Sequence, residues 1–149
     1  MQPLQITSVI VVLKCQRKFL LFRRDEYDDI FPCKWQNLGG KIELGETVEK
    51  AIAREVFEEA GLTINQHPVF LQSYSWKKND ASPVRLGLIF LINLEGEQSE
   101  YKVKLNEELV DYGWFSLAEA KKMNDTDKLI SPKSPTGTFA QLTLAHKKH

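Results

Sequence analysis

The sequence is poor in cysteine, with only Cys15 and Cys33 among its 149 residues. Their separation does not match the C-x-x-C spacing of zinc or redox sites, and so few thiols are typical of a reducing compartment. Long apolar runs are also missing. The run at residues 9–13 is far too short to cross a bilayer core of about 30 Å, and no basic leader precedes it. We therefore expect a cytoplasmic protein with no membrane partner.

An excess of one charge is likewise missing, because 20 basic side chains balance 20 acidic ones. A neutral surface does not favour extended nucleic acid as a partner. Hydrophobic residues make up 42% of the chain, which argues against disorder. We find no internal repeat or low-complexity block, and the length suits one domain over residues 1–149 with a core of its own.

Apolar periodicity and turn residues predict alternating strands and helices. The expected strands cover residues 6–13, 19–22, 69–76, 85–94 and 112–115, with a turn at 14–18, a polar loop at 23–37 and a bend at Gly39 and Gly40. The expected helices cover residues 48–60, 117–123 and 139–146. Thr47 and Gly61 are suitable caps for the first helix. Strands between helices predict an α/β sandwich with a mixed sheet.

The first helix carries an unusual set of carboxylates. At about 100° per residue, its apolar positions form one arc, and Glu55 and Glu59 fall inside that arc with Glu58 at its edge. Unpaired buried carboxylates are unfavourable, so a positive charge is required there. Arg54 points away from all three on the helical wheel. Oxygen ligands without His or Cys suit Mg²⁺ or Mn²⁺, which also bind substrate phosphates.

The glycines before this helix have two interpretations, a plain turn or a place where a phosphate chain and a backbone carbonyl come close to a metal. Lys41 follows them and is either a phosphate contact or a solvated charge.

These residues resemble the Nudix family, whose signature is G-x5-E-x7-R-E-U-x-E-E-x-G-U, with U aliphatic. The match over residues 40–62 is complete at nine specified positions, namely Gly40, Glu46, Arg54, Glu55, Val56, Glu58, Glu59, Gly61 and Leu62. One departure precedes the box, since Leu38 stands where many members have proline. The resemblance implies an α/β/α sandwich that hydrolyses the pyrophosphate bond of a nucleoside diphosphate linked to another group.

The resemblance also implies roles for individual residues. Glu55, Glu58 and Glu59 would bind Mg²⁺, or alternatively Mn²⁺, together with the Gly39 carbonyl. Arg54 would orient these glutamates, and Glu46 would hold the loop around the helix. The catalytic set would then comprise Glu58, Glu55 and Arg54. Glu108 is the candidate for a further base or ligand from a later loop, with Glu107 beside it, although this stretch also fits a solvated loop.

The substrate is expected to be a small nucleotide, bound by a monomer or homodimer. Family markers for ADP-ribose, diadenosine polyphosphates and coenzyme A are not found at the expected spacings. This leaves a nucleoside or deoxynucleoside triphosphate, cleaved to monophosphate and pyrophosphate, with an oxidised purine and a nucleotide-sanitation role as one option. The substrate-binding candidates are Lys41, Arg23, Arg24, Trp35 and Tyr27, and further candidates for stacking on a base are Phe31, Tyr74 and Trp76.

Three alternatives remain. One is a nucleotide-sugar or dinucleotide pyrophosphatase on the same scaffold. Another is a catalytically silent nucleotide-binding module, although such modules tend to lose the carboxylates that this chain retains. The third is a prenyl-diphosphate isomerase using Cys33, for which the usual cysteine motif is missing.

Overall fold

A computed structural model describes residues 5–148. The strands are β1 (Gln5–Cys15), β2 (Lys18–Arg24), β3 (Trp35–Gln36), β4 (Leu38–Lys41), β5 (Val69–Trp76), β6 (Val84–Asn93) and β7 (Leu109–Ser116). The helices are α1 (Val48–Ala60), α2 (Leu117–Asp125) and α3 (Thr138–Lys147), with a short 3-10 turn at Gln98–Glu100. No helix within this range combines the length and apolar character needed to cross a membrane.

The strands form one mixed sheet in the order β3-β2-β1-β6-β5, with β4 paired to β1 and β7 paired to β2. β1 is parallel to β6, and the other pairings are antiparallel. The turn between β1 and β2 is tight, because Gln16 and Arg17 both adopt positive φ. The predicted mixed α/β sandwich is therefore confirmed.

Two hydrophobic cores lie on opposite faces of the sheet. Alternate residues of β1 supply them, with Val11 and Leu13 facing α1 and Val12 facing α2 and α3. Phe22 and Phe19 of β2 divide in the same way, and both are fully buried. Each such side chain contributes about 1.5–3 kcal/mol through the hydrophobic effect. The sheet thus fixes α1 on one face and α3 on the other.

Helix α1 follows its caps. The Thr47 hydroxyl accepts a hydrogen bond from the Lys50 amide at 3.3 Å, and Gly61 ends the helix at φ 69° with its amide donating to the Phe57 carbonyl. The predicted bounds of this helix are confirmed. The capping box of α2 is also present, with Ser116 and Glu119 each bonding the other's backbone amide.

The predicted bend at Gly39 and Gly40 is wrong, because both residues lie within β4 and pair with β1. Neither has a positive φ. These glycines are needed for space instead, since a Cβ on Gly39 would lie 2.7 Å from the Val9 carbonyl oxygen. The predicted loop at 23–37 also ends earlier than expected, because Trp35 and Gln36 form β3 against β2.

Candidate active site

The acidic face of α1 borders a cavity of about 570 Å³, here called the acidic cavity. Gly39 and Gly40 of β4 form one side, and the loop before β7 forms another. The acidic side chains in its lining are Glu43, Glu55, Glu58, Glu59, Glu107 and Glu108. Arg54 is the one basic residue in that lining, so the cavity carries a strong excess of negative charge.

Glu55 and Glu59 are buried, at 8% and 7% exposure, as the helical wheel predicts. Glu58 lies at the edge of the cavity with 54% of its side chain exposed. Three carboxylates on one helix thus face the cavity at different depths. A negative charge on either of the two buried carboxylates would be poorly stabilised by solvent.

Arg54 lies much closer to these carboxylates than the wheel suggests, so the expectation that it points away from them is wrong. Its Nη1 donates to Glu55 Oε1 at 2.8 Å and to Glu58 Oε2 at 3.3 Å. A helical wheel gives only the direction of Cβ, whereas an arginine side chain is long enough to reach along the helix surface. Arg54 therefore neutralises part of the cluster, but one positive charge is shared among several carboxylates.

The rest of the guanidinium holds the loop before α1. Nε and Nη2 of Arg54 donate to the two oxygens of Glu46 at 2.7 and 2.9 Å, and Nη2 also donates to the Lys41 carbonyl at 3.0 Å. The Arg54 guanidinium, together with the Glu43 amide, lowers the pKa of Glu46 to about 2. Arg54 thus joins β4, the loop and α1 in one planar network.

The buried pair Glu55 and Glu59 is short of positive charge. Burial, followed by a hydrogen bond and charge repulsion from Glu55, raises the pKa of Glu59 well above its ordinary value of 4.5. A backbone hydrogen bond from Gly39 opposes this rise. A buried carboxyl group with a raised pKa, such as that of Glu59, is expected to exchange its proton for a cation.

The donor set fits a hard divalent cation, because it consists of carboxylate oxygens against glycine backbone. Within residues 5–148, no three His, Cys, Asp or Glu side chains already converge closely enough to hold a metal ion. Glu55 and Glu58 instead accept hydrogen bonds from Arg54.

Gly40 lies directly against Glu55. A Cβ at this position would be 2.2 Å from Glu55 Oε1, so alanine would displace the carboxylate. We expect Gly40→Ala to weaken Mn²⁺ binding by about 10–100-fold, an effect typical of disturbed metal-ligand support, with little change in Tm. Gly45→Asn is the control, because no atom lies within 4 Å of a Cβ there and asparagine tolerates its φ of 79°. Wild-type Mn²⁺ affinity in Gly40→Ala would contradict this account of the glycine.

The raised pKa of Glu59 predicts how pH affects stability. The folded protein binds this proton more tightly than the unfolded chain, so without metal the free energy of unfolding falls as pH rises above 4.5 toward the raised pKa. A bound cation replaces the proton, so the gain in Tm from Mg²⁺ should increase with pH. Thermal melts with Mg²⁺ and with chelator, across mildly acidic to mildly alkaline pH, measure this. A gain in Tm that is independent of pH would contradict it.

A second cavity of about 500 Å³, here called the inner cavity, shares Gly39 and Gly40 with the acidic cavity. Its wall combines aromatic and polar side chains from several elements, including Arg24, Phe31, Asn37, Lys41, Tyr74, Thr138 and Gln141. Part of this wall belongs to α3. This helix lies after Asp125, in a part of the sequence to which local patterns assign no role. The inner cavity is large enough for a nucleobase.

The substrate-binding candidates separate into two groups. Arg24 and Lys41 line the inner cavity, as do the stacking candidates Phe31 and Tyr74. Arg23, Trp35 and Tyr27 are not in the lining of either cavity. Trp35 packs edge to face on Phe115 at 5.2 Å within a core, and Tyr27 is 83% exposed on a loop. Trp76 lies further along β5, 5.7 Å from the Arg85 guanidinium.

Glu107 and Glu108 belong to a loop that Asn106 shapes. The Asn106 side-chain oxygen accepts hydrogen bonds from the amides of Glu108 and Leu109 at 3.0 and 3.2 Å. Both glutamates line the acidic cavity together with the carboxylates of α1. The sequence placed Asn106 in a stretch that also fits a solvated loop and gave it no role of its own, although a polar residue just before a strand is a common sign of such a turn.

Comparisons with known proteins agree with this architecture. The family model of the NUDIX domain matches residues 3–133 of this chain. Nucleoside triphosphatase NudI from Escherichia coli O139:H28 is 30% identical over 114 residues, covering 74% of this chain and 81% of the relative. The chain therefore belongs to the NUDIX family and is a pyrophosphohydrolase.

Solved structures show the same fold. The MutT protein from Methanosarcina mazei Go1 superposes with a TM-score of 0.69 at 25% identity, covering 99% of both chains. The NUDIX domain of Shewanella oneidensis NrtR, solved with ADP ribose, gives a TM-score of 0.64 at 20% identity over 81% of this chain and 79% of that one.

Proposed function

We propose that this protein hydrolyses a nucleoside or deoxynucleoside triphosphate to the monophosphate and pyrophosphate, with Mg²⁺ as the cofactor and Mn²⁺ as an alternative. The observation that carries the proposal is the acidic cavity, where two buried carboxylates lie against Gly39 and Gly40 and next to a base-sized inner cavity. The NudI relative, a nucleoside triphosphatase, supports the choice of substrate class.

Glu55, Glu58 and Glu59 would hold the metal, with the Gly39 carbonyl as a further ligand. When bound, the metal supplies a Lewis acid that acidifies water and offsets the charge of the phosphates. Arg54 keeps Glu55 and Glu58 oriented through the hydrogen bonds described above, and Glu46 fixes the guanidinium in turn.

A glutamate must also accept the proton of the attacking water. Glu58 suits this role because its half-exposed side chain lines the acidic cavity. Glu108 is the second candidate, since it lines the same cavity. A general base of this kind contributes about 10²–10⁴-fold to the rate.

The nucleotide would span both cavities. Its phosphates would meet the metal in the acidic cavity, and its base would enter the inner cavity between Phe31 and Tyr74. Lys41 lines the inner cavity and would provide positive charge near the phosphates or sugar. Arg24 lines it as well, with its guanidinium paired to Asp28. Burial raises the pKa of the Tyr74 hydroxyl, so this ring is neutral at physiological pH.

A substrate panel tests this function. It should contain common and oxidised nucleoside triphosphates, nucleotide sugars and dinucleotides, each with Mg²⁺ and with Mn²⁺, and the products should be separated and identified. We expect a triphosphate to give the highest kcat/KM and to yield monophosphate and pyrophosphate. A nucleotide sugar or dinucleotide as the best substrate, orthophosphate as the first product, or binding without turnover would each contradict the proposal.

A further inference from the structure

Asn37 occupies a position in the inner cavity that its sequence context does not explain. It lies between β3 and β4, is only 5% exposed, and forms part of the cavity wall. Its side-chain Nδ2 donates to Gln141 Oε1 of α3 at 2.8 Å. Residues 104 positions apart in the chain thus meet in a buried amide pair.

The orientation of this pair is determined by a backbone carbonyl. Gln141 Nε2 donates to the Thr136 carbonyl oxygen at 2.8 Å, and a carbonyl can only accept. The Gln141 Oε1 must therefore face Asn37, and Asn37 must donate to it through Nδ2. Asn37 Nδ2 is therefore used within the pair, and Oδ1 is the atom left over. The hydrogen bonds thus settle the orientation of an amide whose oxygen and nitrogen are otherwise hard to distinguish.

The remaining atom, Asn37 Oδ1, is a buried acceptor without a hydrogen-bond partner in the described part of the chain. Buried acceptors of this kind are rare in proteins, and a bound ligand can supply the missing donor. Arg24 Nε, a donor from another residue of the same wall, is also buried and unpaired among residues 5–148. Both unpaired atoms belong to residues that line the inner cavity.

We propose that Asn37 Oδ1 accepts a hydrogen bond from an N–H of the substrate's base, making Asn37 a specificity-determining residue. Gln141 is the positioning residue that holds the acceptor toward the base. The inference rests on the proposed function, because the shared Gly39 and Gly40 wall places the inner cavity beside the phosphates only if those bind in the acidic cavity.

Asn37 can be tested with variants of matched shape. Asn37→Leu keeps the volume but removes the acceptor, so kcat/KM for the best natural triphosphate should fall by about 10–100-fold. A triphosphate analogue with every N–H group of its base methylated cannot donate a hydrogen bond to Asn37 Oδ1. Its kcat/KM should therefore be the same in wild type and Asn37→Leu. Asn37→Asp retains an acceptor and should lie between wild type and Asn37→Leu for the natural base.

Binding separates this role from catalysis. The Kd of the non-hydrolysable α,β-methylene analogue of the same triphosphate should rise in Asn37→Leu by the same factor as kcat/KM falls, with kcat nearly unchanged. An equal loss for natural and methylated bases would indicate a merely structural role and overturn the inference, as would no loss for either.

Gln141 offers a second comparison. Gln141→Leu releases the Asn37 amide to rotate, so preference for the natural base over its methylated counterpart should decrease. Gln141→Glu still accepts from Asn37 Nδ2 and should retain more of that preference. Equal losses in the two variants would overturn the positioning role.

The two proposals can fail separately. If wild type binds the methylene analogue but hydrolyses no triphosphate, the proposed function fails while the Kd comparison still tests Asn37. If wild type hydrolyses triphosphates but Asn37→Leu has the same kcat/KM as wild type for both the natural and the methylated base, only the inference fails.

Discussion

Glu58→Gln is expected to lower kcat for the preferred nucleotide by about 10²–10⁴-fold, the range for loss of a positioned general base. The glutamine keeps the shape of the side chain, but it can neither accept a proton from water nor provide an anionic oxygen ligand to a metal. Glu58 is half-exposed and accepts a hydrogen bond of 3.3 Å from Arg54, so Tm should change little. Steady-state kinetics with Mg²⁺ and a thermal melt measure both quantities.

Glu49→Gln is the matched control for this variant. It makes the same chemical change on the same helix at an exposed position, and Glu49 is not in the lining of the acidic cavity. Its kinetics should resemble those of wild type. Near-normal turnover by a folded Glu58→Gln would remove Glu58 from the catalytic set and leave Glu108 as the candidate for the base.

Arg54→Lys should lower kcat/KM by about 10–100-fold, as expected for a residue that supports metal ligands. The charge is retained, but lysine cannot reproduce the planar fork that bonds Glu46, Glu55 and the Lys41 carbonyl at once. The variant should also melt at lower temperature, because Glu46 and Glu55 lose directed donors.

The pH dependence of Arg54→Lys gives an independent check. The hydrogen bonds from Arg54 are the main cause of the low pKa of Glu46. This low pKa stabilises the folded protein above the ordinary carboxyl pKa of 4.5, and the stabilisation is lost as pH falls toward about 2. The variant should therefore lose less stability than wild type over this acid range. Lys50→Ala, a change at an exposed basic residue of the same helix, should leave kinetics and acid stability unaltered. An Arg54→Lys protein with wild-type kcat/KM would show that the network does not support the site.

The sequence predicted α1 and its burial pattern because both depend on local spacing. Thr47 and Gly61 define the helix ends, and the period of the helix places Glu55 and Glu59 among apolar residues. The same reasoning failed for Arg54, because a wheel contains no side-chain length. It also misjudged Gly39 and Gly40, since a glycine pair signals a turn as readily as a close approach between strands.

The inner cavity could not have been predicted from local patterns. Asn37 and Gln141 meet through the fold, in which β4 and α3 both contact β1, and neither residue has a sequence signal that points to the other. Trp35 illustrates the converse, since an aromatic residue near the box is as consistent with core packing on Phe115 as with stacking on a base.

The central claim is that the buried carboxylates of α1 bind a divalent cation. Titration of Mn²⁺ followed by electron paramagnetic resonance, on wild type and on the double variant Glu55→Gln and Glu59→Gln, tests it most directly. Neutral amides relieve the repulsion between these two side chains, so the variant should fold. We expect wild type to remove the signal of free Mn²⁺ and the double variant to leave it. Equal Mn²⁺ affinity in the two proteins would contradict the claim.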